Sequence, residues 1–300
     1  SPCCPSASLQ KSRDTPPGDR WWRPVTCLHH MRRARAIGRI RDLGMNVIRV
    51  IQRILLLTLQ VMLGMLLTPL VLSGRTGSGL NTNSCVTSWW HNRVADRLGI
   101  RITVSGPRPK APALLVSNHV SWLDIVVLGG LTHADFLSKY EVRKWPVIGW
   151  LAARSGTLFI RRGSHEAAAV NEQIAQRLKH QGIFTLFPEG RTTDGREVRP
   201  FYSRLFAAAI DTGTDVIPVT LRYHIDGGHD PIAPYTDTQS ITQSLRGLIT
   251  RDHTEVNVVF GQPIPFDGYT RKEIAALARN AVLAALHGPE QIPLAQRIPM

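Results

Sequence analysis

A long uncharged stretch is the feature that most restricts how this chain can fold. Residues 54–74 read ILLLTLQVMLGMLLTPLVLSG, twenty-one residues without Asp, Glu, Lys or Arg. A helix needs roughly 20 predominantly apolar residues to cross a bilayer core, and a buried core helix rarely runs so long without a polar face. The stretch therefore predicts membrane contact, although Gln60, Gly64 and Pro69 weaken it as a simple span.

The net charge of +14 is concentrated before this stretch. The first 53 residues hold eleven Lys and Arg against three Asp, which leaves +8 there and +6 on the other 247 residues. Such a basic segment fits anionic lipid headgroups or nucleic acid, or it is simply a solvated arm. Because the sequence has no helix-turn-helix, zinc or RNA-recognition signature, we expect no nucleic-acid partner. The four cysteines (Cys3, Cys4, Cys27 and Cys85) lack metal-ligand spacing and indicate a reducing compartment.

Short apolar runs alternate with helical patterns from residue 100 onward. The predicted strands are 102–104, 113–116, 157–160, 184–187, 216–221 and 256–260, and the clearest helices are 165–181 and 271–286. The alternation predicts an α/β fold with a mostly parallel central sheet and flanking helices, preceded by an N-terminal membrane-associated helical segment. We expect a basic, disordered extension over 1–45, the membrane-associated helical region over 46–99, and the α/β domain over 100–300.

A histidine and an aspartate follow one of the predicted strands. In ALLVSNHVSWLD the strand runs into Asn118 and His119, and Asp124 comes five residues after the histidine. Open α/β sheets bind ligands at the carboxyl ends of their strands, and a turn of helix can bring the carboxylate to the imidazole. The carboxylate would then fix the tautomer and support an imidazolium. Alternatively, His119 is only a satisfied neighbour of a helix cap.

A second histidine–aspartate pair has the same spacing but a different setting. His91 and Asp96 lie on a helical pattern without a preceding strand. Five residues along a helix correspond to about 140° around its axis, so the two side chains need not meet. We interpret this pair as a chance match.

Two further predicted strands end in polar residues. GTLFIRR, residues 156–162, ends at Arg162, and a guanidinium suits phosphate recognition. IFTLFPEGRTTDG, residues 183–195, continues after its strand into a turn that holds Glu189, Gly190, Arg191 and Thr192. Glycine allows close backbone approach, and the arginine and hydroxyl groups suit an anion. The plain alternatives are a solvated strand end and an ordinary turn.

The segments NHVSWLD, GTLFIRR, FPEG and VIPV, in this order, resemble the four blocks of the glycerolipid acyltransferase family, that of the 1-acylglycerol-3-phosphate acyltransferases. The similarity covers roughly residues 89–266. It implies that His119 is the general base and that Asp124 supports it. It also implies substrate-binding roles for the block residues Asn118, Arg162, Glu189, Gly190, Arg191 and Thr192.

The resemblance implies transfer of a fatty acyl group from acyl-CoA or acyl carrier protein to a lysolipid hydroxyl. The main expectation is 1-acyl-sn-glycerol-3-phosphate as acceptor, giving phosphatidic acid. No cofactor and no metal are expected, because the thioester is already activated. The third block is commonly FPEGTR, whereas FPEGRTT here puts Arg191 at the threonine position and Thr192 at the arginine position. Related enzymes with variant third blocks act on lyso-ornithine lipids, which is the alternative acceptor.

The basic N-terminal region predicts a cytoplasmic N-terminus. A full span would then put His119 on the far side, away from its acyl donor, so we expect a monotopic or re-entrant segment and a catalytic domain on the cytoplasmic face of a bacterial inner membrane. Two other functional classes compete. A hydrolase would use His119 to activate water, but the chain lacks a GxSxG elbow. An inactive membrane-tethered scaffold would not need His119, Asp124 and Glu189.

Overall fold

The computed structural model describes residues 46–69, 81–161, 167–236 and 238–288. The predicted extension 1–45, the end of the uncharged stretch at 70–74 and Arg162 lie outside the described residues.

The described chain alternates strands and helices. The strands are β1 (Ile100–Ser105), β2 (Ala113–Ser117), β3 (Asp135–Lys139), β4 (Leu158–Ile160), β5 (Ile183–Leu186), β6 (Val216–Ile225), β7 (Gly228–His229) and β8 (Thr254–Phe260). The helices are α1 (Asn46–Pro69), α2 (Asn81–Leu98), α3 (Leu123–Thr132), α4 (Tyr140–Arg143), α5 (Ile148–Arg154), α6 (Ala167–Lys179), α7 (Ala207–Thr212), α8 (Ile241–Thr250) and α9 (Arg271–His287), with a 3₁₀ turn at Ser203–Phe206 before α7.

The strands form one sheet in the order β1-β8-β6-β2-β5-β3-β4, with β7 paired to β6. The β6, β2, β5, β3 and β4 strands run parallel, β8 is antiparallel to β6, and β1 is parallel to β8. The predicted α/β class with a mostly parallel sheet and flanking helices is therefore confirmed. Because β8 and β1 run in the opposite direction, their amino ends lie at the same edge as the carboxyl ends of the central strands.

Each predicted strand is present, with boundaries shifted by a few residues, and β3 and β7 were missed. The β3 sequence DFLSK buries only Phe136 completely, so it lacks the continuous apolar run of a central strand. The β7 strand has two exposed residues and leaves no pattern to detect. The helix α8 was also missed, although Ser240 and Gln243 form a capping box at its start.

The central strand β2 is buried on both faces, which explains its unbroken apolar sequence. Leu114 and Val116 belong to a core on one side of the sheet, together with buried residues of α6, α7 and α9. Leu115 belongs to a core on the other side, which includes residues of α2, α3 and α8. This double layer fixes β2, and hence the residues that follow it, in the middle of the sheet.

The α1 helix is long and apolar enough to cross a membrane, with a mean hydropathy of 2.0 and only 11% of its apolar window buried. By itself one such helix is weak evidence of membrane association. Its buried side is held by specific contacts: Arg53 donates to the Arg251 carbonyl, and the Trp90 indole donates to the Gln60 carbonyl at 3.0 Å. The exposed large apolar residues on α1 are Val47, Ile48, Ile51, Ile54, Leu55, Leu59, Met62 and Leu66.

Candidate active site

His119 lies two residues beyond the carboxyl end of β2, at the open edge of the sheet. The chain turns within the next few residues, so that α3 begins at Leu123 and Asp124 falls in its first turn. The tight connection brings the two side chains together, with 2.8 Å between His119 Nδ1 and Asp124 Oδ2. The five-residue spacing thus forms a histidine–carboxylate pair at a strand-to-helix connection.

The Asp124 carboxylate is completely buried, with 0% of the residue exposed, and it accepts four hydrogen bonds. Its Oδ2 accepts from His119 Nδ1 and from the backbone N–H groups of Val120 at 2.7 Å and Ser121 at 2.9 Å. Its Oδ1 accepts from the Tyr223 hydroxyl at 2.8 Å. These donors replace the hydration that a buried charge loses. They also place the carboxylate so that it favours hydrogen on His119 Nδ1.

Tyr223 is a member of this site that the sequence did not reveal. It lies on β6, and burial, reinforced by the neighbouring Asp124 charge, raises its pKa well above the ordinary value. The phenol therefore stays protonated and serves as a permanent donor to the carboxylate. The predicted strand ended at residue 221, and only the pairing of β6 with β2 brings Tyr223 to Asp124.

The main chain of His119 is held from both sides by the turn after β5. Its N–H donates to Glu189 Oε1 at 2.7 Å, and its carbonyl accepts from the Thr193 N–H at 2.8 Å. The Phe187 ring stacks on the imidazole, with 4.1 Å between centroids and 18° between planes. The second Glu189 oxygen accepts from the Arg199 N–H at 2.8 Å. The FPEG turn thus fixes both the backbone and the ring of the histidine.

Burial raises the pKa of Glu189, against the opposing effect of the Arg199 and His119 backbone donors. Its side chain is buried, and each oxygen accepts one backbone hydrogen bond, so Glu189 positions the backbone of His119 and Arg199. Gly190 has φ of 72°, and a Cβ there would crowd the Tyr202 ring, so glycine suits this turn.

The other predicted substrate-binding residues divide into three groups. Asn118 is fully buried, and its amide both accepts from the Leu221 N–H at 2.8 Å and donates to the Leu221 carbonyl at 2.9 Å. These two hydrogen bonds hold the residue that follows β2 against the backbone of β6. Arg191 is exposed and Thr192 is partly buried on the turn after β5. Arg162 lies outside the described residues.

A second loop supports the histidine connection from the β6 side. The Tyr235 N–H donates to the Val120 carbonyl at 2.9 Å. The loop that carries Tyr235 is fixed by Asp230, which is buried and forms an ion pair with Arg251 at 2.7 Å. Burial acts to raise the pKa of Asp230, but hydrogen bonds from Arg251 and from the backbone outweigh it and lower that pKa. Asp230 is therefore ionised, and it holds the loop against the active-site backbone.

The second histidine–aspartate pair has separate partners in the described chain. His91 packs edge-on against Trp90, and burial lowers its pKa to about 4. Asp96 lies 3.6 Å from Arg93 instead. His91 is thus a neutral packing residue between α2 and α3.

The arrangement around His119 is suited to proton transfer. Nδ1 is bonded to Asp124, and no group among the described residues hydrogen-bonds Nε2. A hydroxyl that approaches Nε2 would meet a base of fixed tautomer and orientation, which is what general base catalysis requires.

Comparison with known proteins agrees with this chemistry. A family model described as Acyltransferase matches residues 100–222. A lyso-ornithine lipid O-acyltransferase of Pseudomonas aeruginosa is 42% identical over 203 residues, which cover 68% of this chain and 79% of that protein. A 1-acyl-sn-glycerol-3-phosphate acyltransferase of Neisseria meningitidis is 37% identical, over 56% of this chain and 67% of that protein.

The fold has a match among solved structures. The crystal structure of the 1-acyl-sn-glycerophosphate acyltransferase of Thermotoga maritima has a TM-score of 0.63 at 20% identity, covering 81% of this chain and 95% of that one. The lyso-ornithine lipid O-acyltransferase relative is 42% identical over 79% of its length, and this chain has the histidine–aspartate pair at its sheet edge. The chain therefore belongs to the glycerolipid acyltransferase family and is an O-acyltransferase.

Proposed function

We propose that this enzyme transfers a fatty acyl chain from a thioester donor to the free hydroxyl of a lysolipid. The observation that carries the proposal is the His119–Asp124 pair, whose Nε2 is left available at the carboxyl edge of the sheet. His119 Nε2 takes the hydroxyl proton as the oxygen attacks the thioester carbonyl. The Asp124 carboxylate stabilises the resulting imidazolium. Collapse of the tetrahedral intermediate forms the ester and expels the thiolate, which takes the proton back from His119.

Two lysolipids are candidate acceptors. The order of the sequence blocks supports 1-acyl-sn-glycerol-3-phosphate, the acceptor named for the Neisseria meningitidis relative. The higher identity to the Pseudomonas aeruginosa enzyme supports lyso-ornithine lipid. The displaced Arg191 in FPEGRTT also favours the second acceptor, since an arginine one residue earlier in the turn presents its guanidinium to a different position.

We propose acyl-CoA or acyl carrier protein as the donor and the cytoplasmic face of a bacterial inner membrane as the location. The exposed apolar residues of α1 support attachment to lipid. A monotopic arrangement keeps the catalytic edge on the same side as the soluble donor.

Replacing the base tests the mechanism directly. His119→Ala should lower kcat by at least about a hundredfold, because general base catalysis contributes roughly 10²–10⁴-fold, and Asp124→Ala should follow it. The measurement is acyl transfer by the purified protein, with circular dichroism to establish folding. The control is His91→Gln, which removes the other histidine of an HxxxxD spacing and should retain kcat. A folded His119→Ala enzyme with full activity would exclude the mechanism.

Tyr223→Phe tests how much the hydrogen bond from the Tyr223 hydroxyl to Asp124 contributes to catalysis. The substitution leaves Asp124 Oδ1 buried without its hydroxyl partner, and a hydrogen bond to a charged group is worth about 1.5–3 kcal/mol. We expect kcat to fall about tenfold or more with the acceptor KM nearly unchanged, because Tyr223 acts through Asp124. Tyr269→Phe, at an exposed tyrosine, is the matched control. A change confined to KM would argue that the phenol contacts the acceptor instead.

The acceptor is tested by competition between the two lysolipids on the same enzyme. Arg191→Ala should lower kcat/KM for the preferred acceptor by about tenfold, since a charge-assisted hydrogen bond is lost. The control is Arg196→Ala, an exposed arginine five residues later in the same turn. Arg162→Ala tests the other predicted arginine. A kcat/KM at least tenfold higher for lyso-ornithine lipid would assign that acceptor and leave His119 and Asp124 in their roles.

Membrane attachment through α1 is tested by washing. Apolar burial is insensitive to salt, whereas contacts between exposed charges are screened within about 10 Å at 0.1 M salt. The full-length protein should therefore remain in the membrane pellet after high-salt and alkaline washes. Replacing Leu55, Leu59, Met62 and Leu66 by Ser should allow the high-salt wash to release the protein, whereas Leu277→Ser on α9 should leave it in the pellet. Complete release of the unmodified protein by salt would mean that charge alone holds it.

A further inference from the structure

The helices α4 and α5 form a short hairpin, residues 140–154, that begins at the catalytic edge of the sheet. It follows β3 directly, and β3 ends at Lys139. The β3 strand is parallel to β5, which is parallel to β2, so the carboxyl ends of all three strands lie at one edge. The α4–α5 hairpin therefore begins at the edge of the sheet that carries His119, two strands away from β2.

This hairpin exposes apolar side chains. Val147, Ile148 and Trp150 are 36%, 43% and 37% exposed, although they occupy neighbouring positions at the start of α5. Single exposed apolar residues are ordinary, whereas a cluster that includes an aromatic ring indicates a binding surface.

The backbone conformation at the start of α5 leaves Val147, Ile148 and Trp150 exposed. Val147 has φ of 65° and ψ of −63°, and the Ile148 N–H donates to the Pro146 carbonyl at 2.7 Å, which is a rare and strained γ-turn. A β-branched residue rarely adopts this conformation, and such strain collects at functional positions. Gly149 packs so closely on α4 that a Cβ would overlap the carbonyl oxygens of Val142 and Arg143. The hairpin is thus a compact support for an exposed apolar tip.

The hairpin and the strand ends next to it are rich in basic residues. Residues 139–161 contain five Lys and Arg and a single acidic residue, Glu141. Arg143, Lys144 and Arg154 are exposed, and the Arg154 guanidinium lies 5.5 Å from the centre of the Trp150 ring. Apolar and aromatic groups flanked by cations are typical of segments that rest in the interface of an anionic bilayer.

The exposed apolar residues of α1 form a second apolar surface, and α1 contacts the chain near the same edge of the sheet. Arg53 of α1 donates to carbonyls at residues 248–252, directly before the amino end of β8. That end lies at the catalytic edge because β8 is antiparallel to β6. From β1 to β4 the sheet spans about 29 Å at roughly 4.8 Å per strand. His119 follows the middle strand β2, so it lies between the α1 contact and the α4–α5 hairpin along the sheet. A bilayer is flat over this distance, so it can contact both surfaces at the same time.

We propose that the α4–α5 hairpin is a second membrane-contact surface. Val147, Ile148 and Trp150 enter the headgroup region, and Arg143, Lys144 and Arg154 rest on anionic headgroups. Together with α1, which contacts the chain before β8, the hairpin keeps the catalytic edge of the sheet against the bilayer. A lysolipid, the acceptor class of the proposed function, then presents its hydroxyl to His119 without leaving the interface.

A fluorophore at the tip tests the contact without any turnover, so the result is independent of the proposed reaction. The four native cysteines are replaced by Ser in the full-length protein, and Ile148→Cys is labelled with an environment-sensitive nitrobenzoxadiazole. Vesicles of phosphatidylcholine with roughly one third phosphatidylglycerol should shift its emission to the blue, and brominated lipids should quench it. The same label at Leu277→Cys, a comparably exposed apolar position on α9, should remain in water.

Binding measurements with unlabelled variants provide the second readout. The double variant Arg143→Gln/Lys144→Gln should bind the anionic vesicles about fivefold more weakly for each charge removed, and it should bind pure phosphatidylcholine vesicles as the parent does. A label at residue 148 that stays in water while the protein is bound to vesicles would overturn the proposal. So would an emission shift produced only by acyl carrier protein, or equal vesicle affinity of parent and double variant.

Discussion

The carboxylate of Asp124 has no access to solvent, and a buried charge is tolerated only where hydrogen bonds replace its hydration. Meeting that requirement determines much of the local architecture. The connection after β2 must coil tightly enough to aim the N–H groups of Val120 and Ser121 at one oxygen. The β6 strand must lie beside β2, so that Tyr223 reaches the other oxygen. Asn118 joins the same two strands through Leu221. The imidazole of His119 is then the remaining donor, and its orientation follows.

The topology of the sheet gathers these groups without long connections. The parallel strands β2, β5 and β6 bring the histidine, the FPEG turn and the tyrosine to one edge. Because β8 is antiparallel to β6, its amino end lies at that same edge, and Arg53 of α1 contacts the Arg251 carbonyl just before it. The catalytic pair and the contact of α1 with the chain before β8 therefore lie at the same edge of the sheet.

Most of the fold and the central pair were predictable because their signals are local in sequence. Apolar runs mark the buried strands, and a strand followed by HxxxxD fixes His119 relative to Asp124. Tyr223 was not predictable, because it meets Asp124 only through the pairing of strands about a hundred residues apart. The sequence predicts Glu189 and Asn118 as substrate-binding residues, but residue type does not reveal which atoms a side chain meets. Both are bonded to backbone groups within the fold. The strand β3 was missed because only Phe136 of its residues is fully buried.

Two hydrogen bonds from the turn after β5 to the backbone of His119 limit how that turn can vary without displacing the catalytic base. Glu189 holds the histidine N–H and Thr193 holds its carbonyl, so the chain between these two residues must keep a fixed length and path. An insertion or deletion there would displace the catalytic base together with the loop. Exchanging residues inside the fixed span leaves both attachments intact. FPEGRTT in place of FPEGTR is such an exchange, so sequence change in this turn is expected to replace side chains and to leave the length of the loop unchanged.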